Sequence, residues 1–249
     1  MARKGAKGAK KKDLSDPVCG FRPVRYFIFL LLLIALPGEV VSQKTMYRTI
    51  GHQTEGSEGR NVVQAADGGY FMTYYIYYAS KVIGCLTKLN CAGQVEWERF
   101  YEEAFNALPV DVLAQQDNGC VLLLSVRKNN GKYQNAVLRI DASGNTLWTQ
   151  RLNMQAANPT GCMAQHTDGS IYTCGVDSIA GVNHIGTTVA KINKDGSLIW
   201  MKQYTEYIDH APRVITVTSD HKIVVAGQAV ISGLFFTNIF VMTLNENGG

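Results

Sequence analysis

The sequence predicts an all-β fold: a β-propeller, or part of one, whose four repeats of about 51 residues each supply a four-stranded antiparallel blade. Two turn signals that recur in phase predict it, together with the strand-like segments between them. The first signal is a glycine turn followed by tryptophan, at Gly93…Trp97, Gly144…Trp148 and Gly196…Trp200, with the glycines 51 and 52 residues apart. A fourth such turn, Asn247-Gly248-Gly249, follows Gly196 by 52 residues. The second signal is an aspartate turn at Asp67, Asp117 and Asp168, with a weaker copy at Asp220, spaced by 50, 51 and 52 residues.

Each repeat then divides into four strands. In the first, Asn61–Ala65 and Tyr70–Tyr78 flank the aspartate turn, and Val82–Leu89 and Val95–Tyr101 flank the Gly-x-x-x-Trp turn. All four are rich in β-branched and aromatic residues and are bounded by Asp, Asn and Gly. Cys120–Val126, Asn135–Ile140 and Leu147–Leu152 repeat the pattern in the second copy, and Thr188–Ile192 and Leu198–Tyr204 in the third. A tight hairpin needs a residue with positive φ, which Gly reaches without steric cost, while Asp caps the turn through its own backbone. The tryptophans read as surface buried between neighbouring blades rather than as ligand platforms, because the position recurs in every complete copy. Asp67, Asp117 and Asp168 read as turn caps for the same reason and call for no acid–base role.

The two ends carry further expectations. Residues 1–42 have the layout of a signal peptide: a Lys/Arg-rich leader, an apolar run of eleven residues from Tyr26 to Leu36, and small residues before Gln43. Eleven residues are too few for a span, which needs roughly 20. The alternative is an uncleaved signal anchor. Residues 43–249 form the repeat region, which reads as interrupted at Gly249 just before an expected tryptophan. The competing expectation is a closed four-bladed ring in which Lys44–Ile50 supplies the missing outer strand of the last blade.

Composition narrows the function. The chain is 46% hydrophobic and 18% charged with a formal net charge of +4, but the leader holds the excess. Beyond residue 42, sixteen basic residues face seventeen acidic ones. No basic face for phosphates is expected, so nucleic acid is set aside. Five cysteines follow the leader, an odd number, and export would permit disulfides. Cys162 and Cys174 flank the turn at 167–170 symmetrically and are a candidate cross-strand disulfide, with a free buried pair as the alternative. The tyrosine run Tyr74, Tyr75, Tyr77 and Tyr78 could form a platform for carbohydrate or peptide, with Tyr75 and Tyr77 on one face and Tyr74 and Tyr78 on the other.

The expected catalytic signatures are missing: no G-x-S-x-G elbow, H-E-x-x-H pair, Walker loop or G-x-G-x-x-G is present. The five histidines, His52, His166, His184, His210 and His221, share no repeat position and read as surface or loop residues. No metal site, cofactor or catalytic residue is expected.

At Lys88–Trp97, Arg139–Trp148 and Lys191–Trp200 the chain resembles the quinoprotein-like (PQQ-like) propeller repeats of exported Bacteroidota proteins, often joined to type IX secretion sorting domains. The resemblance implies a propeller over roughly residues 45 to 249. It leaves function open, since such repeats serve many proteins. The leading expectation is an exported, non-catalytic scaffold or interaction module, secreted or at the cell surface, that meets an unknown protein or glycan through its loops. It would touch a membrane only through an uncleaved leader, which would make it membrane-anchored; a periplasmic location is a further alternative. The competing functions are a quinone-dependent dehydrogenase-like enzyme and a cell-envelope assembly component.

Overall fold

The computed structural model describes residues 56–78, 81–102, 107–156, 158–182, 184–206, 209–230 and 237–249. The expected leader, residues 1–42, and the candidate closing strand Lys44–Ile50 lie outside them, as does His52. Fifteen strands make up the described structure, and no helix among the described residues is long and apolar enough to cross a membrane.

The first blade holds β1 (Gly56–Gln64), β2 (Tyr70–Tyr78), β3 (Lys81–Leu89) and β4 (Val95–Tyr101). The second holds β5 (Ala107–Ala114), β6 (Cys120–Arg127), β7 (Tyr133–Ile140) and β8 (Thr146–Arg151). The third holds β9 (Cys162–Gln165), β10 (Ile171–Ser178), β11 (Ile185–Ile192) and β12 (Leu198–Tyr204). The last consists of β13 (Asp209–Val217), β14 (Ile223–Val230) and β15 (Thr237–Leu244). Every pairing within a blade is antiparallel between consecutive strands, and a single parallel bridge, Ile83 to Ala107, links the first two sheets. The first strand of each blade lies beside the first strand of the next, β1 by β5, β5 by β9 and β9 by β13, which is the inner row of a propeller-like array.

The sheets stack face to face and bury their apolar side chains between them. β6 shows why a continuous hydrophobic run can be a strand here: Leu122 and Leu124 enter the core shared with the first blade, while Val121 and Leu123 enter the core shared with the third. Alternation persists, but both faces are buried, so the sequence reads Cys-Val-Leu-Leu-Leu without polar interruption. Tyr172, Cys174, Val189, Ile223, Val225 and Phe240 form the next core, between the third and fourth blades.

Each glycine of the Gly-x-x-x-Trp turn has positive φ, 73° at Gly93, 81° at Gly144, 91° at Gly196 and 73° at Gly248. The tryptophan does not pack on its own turn. Trp97 lies on Gly144 and donates its indole N–H to the Ala142 carbonyl at 2.8 Å, while Trp200 lies on Gly248 and donates to the Glu246 carbonyl at 3.0 Å. Trp148 covers Gly196, where an added Cβ would come within 2.6 Å of the ring. A bulge immediately before each tryptophan turns it toward the neighbouring blade: the register slips between Lys88 and Leu89, between Arg139 and Ile140, and between Lys191 and Ile192. The side chain two residues on completes the grip, through Arg99 to the Gly144 carbonyl at 2.9 Å and Lys202 to the Asn247 carbonyl at 2.7 Å.

The aspartate turns work within a blade. Asp67, Asp117 and Asp168 accept the backbone N–H two residues on, at 2.8, 3.1 and 2.7 Å. The positive-φ residue is the one after the aspartate, Asn118 and His221 taking the place of Gly68 and Gly169. The first two aspartates also hold a cation from the third strand: Lys88 meets Asp67 at 2.7 Å and Arg139 meets Asp117 at 2.6 Å. Partial burial works against the Asp117 charge, but hydrogen bonds from Arg139 and the Gly119 N–H and the guanidinium charge outweigh it and lower its pKa.

Across β9 and β10, Cys162 and Cys174 are register partners with a Cα–Cα separation of 5.4 Å, and a disulfide joins them.

Two outcomes test this account. Gly196→Ala puts a Cβ into the Trp148 ring at positive φ and should lower stability by about 1–3 kcal/mol in urea denaturation; an unchanged midpoint would count against the packing described. Asp117→Asn should cost about 0.5–1 kcal/mol at neutral pH, discounted because the carboxylate is largely exposed. Its folded pKa lies below the unfolded value, so that contribution is complete above about pH 4 and is lost as the pH falls through the folded pKa. The gap between wild type and variant should therefore close in acid, and a gap constant from about pH 6 to pH 2 would remove the ion pair as its source.

Candidate functional site

Antiparallel order places both kinds of turn at one end of every blade, because the first-to-second and third-to-fourth strand connections share a side. At that end the third and fourth blades meet in a cluster that departs from the repeat. His166 opens the β9–β10 turn, His221 sits in the β13–β14 turn and Glu246 in the turn after β15. Their ligand-type atoms all lie within 4.8 Å of one another. His166 Nε2 and His221 Nδ1 are 2.7 Å apart and share one hydrogen bond.

Each member is positioned by the fold. His166 is only 7% exposed, in edge contact with the fully buried Tyr172, so its ring is fixed. On the ring's other side Nδ1 lies 2.9 Å from Asp168 Oδ1. His221 is exposed and takes the left-handed conformation, φ 61°, at a position where the first and third blades carry glycine. Glu246 rides on a turn that the third blade clamps three times: Trp200 to the Glu246 carbonyl, Lys202 to the Asn247 carbonyl, and the Tyr204 hydroxyl to the Gly248 carbonyl at 2.9 Å.

The cluster exists because the aspartate–cation pair changes partners in this blade. Gly69 and Gly119 leave room for the cation, since a Cβ there would come within 2.6 Å of Lys88 Nζ or 2.4 Å of Arg139. The third blade has Ser170 in that place, buried and donating its hydroxyl to Asp168 at 2.5 Å. Lys191 lies over the Tyr172 ring, 5.2 Å from its centroid, as Lys88 lies over Phe71, but its ammonium meets Glu246 of the next blade at 3.6 Å. Asp168 is thereby left to hold His166. Partial burial opposes its charge, but hydrogen bonds from Ser170, through side chain and backbone, and from His166 prevail and bring its pKa down to about 2. Two open hollows flank the cluster, about 440 Å³ lined by Gln115, Gln165 and His166 among others, and about 450 Å³ lined by Asp220, His221 and Glu246.

Of the positions singled out in the sequence, Gly93, Gly144, Gly196, Gly248, Trp97, Trp148 and Trp200 serve the turns and blade junctions, and Asp67 and Asp117 serve their own blades. Only Asp168 also reaches the cluster. Two histidines differ from the surface placement expected: His166 and His210 are both buried, His210 against Phe240. His166 and His221 occupy different repeat positions, yet the offset between neighbouring blades sets the start of one turn beside the end of the next. The tyrosine strand divides partly as expected. Tyr75 and Tyr77 meet edge to face with centroids 5.4 Å apart, Tyr74 is buried and hydrogen-bonded to Glu98, and Tyr78 at the strand end is exposed.

No protein-family model matches the chain, and no curated protein matches it in sequence. Solved structures similar to it include the subtype N11 neuraminidase-like protein of A/flat-faced bat/Peru (H18N11), 11% identical with a TM-score of 0.47, covering 80% of this chain and 64% of that one. The subtype N10 neuraminidase-like protein of A/little yellow-shouldered bat/Guatemala is 8% identical with a TM-score of 0.40, over 71% of this chain and 60% of that one. A variant of Synechocystis apocarotenoid oxygenase is 9% identical with a TM-score of 0.41, over 77% and 48% of the two chains. The chain thus spans less than two thirds of the length of these solved structures, and its propeller-like architecture rests on the strand pairing and sheet packing described above.

Proposed function

We propose that the chain is an exported, non-catalytic propeller module of the quinoprotein-like repeat class, presenting its non-repeating hairpins to a protein or glycan outside the cytoplasm. One observation carries this reading: the residues that recur in every repeat are absorbed in turns and blade junctions at one end, while the variable hairpins fall at the other. Lys128–Tyr133 connects β6 to β7 and Ile179–His184 connects β10 to β11, both on the side away from the aspartate and glycine turns. The Gly-x-x-x-Trp turns that prompt comparison with quinone enzymes hold neighbouring blades together, with their indole faces covered by glycine.

The thiols point the same way. Cys85 and Cys120 are buried and free, and burial, the main cause, pushes both up to about 12, far from the thiolate a nucleophile needs. Alkylation of native, unreduced protein at neutral pH should leave Cys85, Cys120, Cys162 and Cys174 unmodified. In denaturant without reductant, Cys85 and Cys120 should label and the other two should not; labelling of Cys85 or Cys120 in the native state would reopen a catalytic role.

Titration with a quinone cofactor in the presence of calcium tests the reading directly. The expected result is neither a change in visible absorption nor a rise in Tm. A saturable change in either would replace the interaction module by an enzyme.

A further inference from the structure

We propose that His166, His221 and Glu246 bind a transition-metal dication of the zinc class across the junction of the third and fourth blades. Two imidazole nitrogens and a carboxylate oxygen, all within 4.8 Å, supply three ligands and leave a fourth position for water or for a group from a partner. Imidazole donors favour zinc, copper, nickel or cobalt over magnesium and calcium, which take oxygen ligands.

The surroundings are those of a prepared site. His166 is held from behind by Asp168, whose carboxylate oxygen lies 2.9 Å and whose backbone N–H lies 3.2 Å from Nδ1, which orients the ring with Nε2 toward His221. Such a carboxylate–histidine pair occurs in this blade because Ser170 displaces the cation that the equivalent aspartates hold elsewhere. Glu246 arrives on a turn clamped to the blade that carries His166, so the two ligands from different sheets are fixed relative to each other. Lys191, 3.6 Å from Glu246 Oε2, holds one carboxylate oxygen and leaves the other for the ion. The present 2.7 Å between the histidine nitrogens is a hydrogen bond. Tetrahedral ligation at about 2.0–2.1 Å separates ligand atoms by about 3.3 Å, so the exposed His221 has to swing out by about 0.6 Å and the Glu246 oxygen, within 4.8 Å of the nitrogens, to close in by up to about 1.5 Å.

Cobalt(II) serves as the optical probe. The chain, prepared without a polyhistidine tag and stripped by chelator, is titrated with cobalt and then with zinc. A saturable visible d–d absorption at one equivalent, bleached by zinc, is expected. His221→Asn keeps a residue tolerant of positive φ and should abolish the signal while leaving the metal-free Tm unchanged. Asp168→Asn should weaken cobalt by about 10–100-fold through loss of the orienting carboxylate. His184→Ala, altered away from the cluster, should bind as wild type. Should His221→Asn fail to fold, Glu246→Gln decides by the same absorption. No saturable signal in the wild type, or an undiminished one in His221→Asn or Glu246→Gln, overturns the proposal, as does its loss in His184→Ala.

Discussion

The contact on which the architecture depends is an indole laid over a glycine of the next blade. A sheet in this chain is apolar on both faces and cannot stand alone; it must be registered against a neighbour at a fixed distance and tilt. Burial by itself would leave two flat sheets free to slide. The indole over Gly144, Gly196 or Gly248 removes that freedom, because the ring fits only where no Cβ stands, and at Gly144 and Gly248 a carbonyl of the same turn accepts its N–H. One contact therefore sets both the spacing of the sheets and their phase.

From that constraint the rest follows in order. The tryptophan must leave its own sheet to reach the next, which is why the fourth strand bulges one residue earlier, exposing Leu147 and Ile199 at the bulge. The glycine must have positive φ to turn the chain and must also be bare to receive the ring, so two independent demands fall on one position. The aspartate turns, by contrast, act within a blade and can vary: an asparagine stands at 118 and a histidine at 221 where glycine would serve. Variation is tolerated at a turn that no indole covers, and it is there that the two histidines of the cluster arise.

Much of the fold was legible because both demands leave marks at a constant interval. Glycine followed four residues later by tryptophan states the junction, and aspartate states the inner turn; β-branched and aromatic runs fill the spaces. The bulges were not legible, since a one-residue slip leaves composition and spacing unchanged. Nor was the direction of the tryptophan, which a sequence shows beside its own turn although it belongs to the neighbour's. The apolar run of Cys120–Leu124 was readable as a strand but not as one serving two cores at once.

The cluster was illegible for a different reason. His166 and His221 lie 55 residues apart and Glu246 a further 25 on, so no local spacing rule joins them. Their repeat positions differ as well, and a comparison of copies aligns each with an ordinary residue: Gln115 with His166, Gly169 with His221. What brings them together is the lateral offset of one blade on the next. At the preceding junction the equivalent of His166, Gln115, meets a different partner, Gln165, and the two exchange side-chain hydrogen bonds at 3.0 Å across the second and third blades. The same seam thus carries paired amides at one junction and paired imidazoles at the next. A repeat protein acquires distinct chemistry in this way without altering a strand, because residues at the seam answer to the adjoining turn and not to the core.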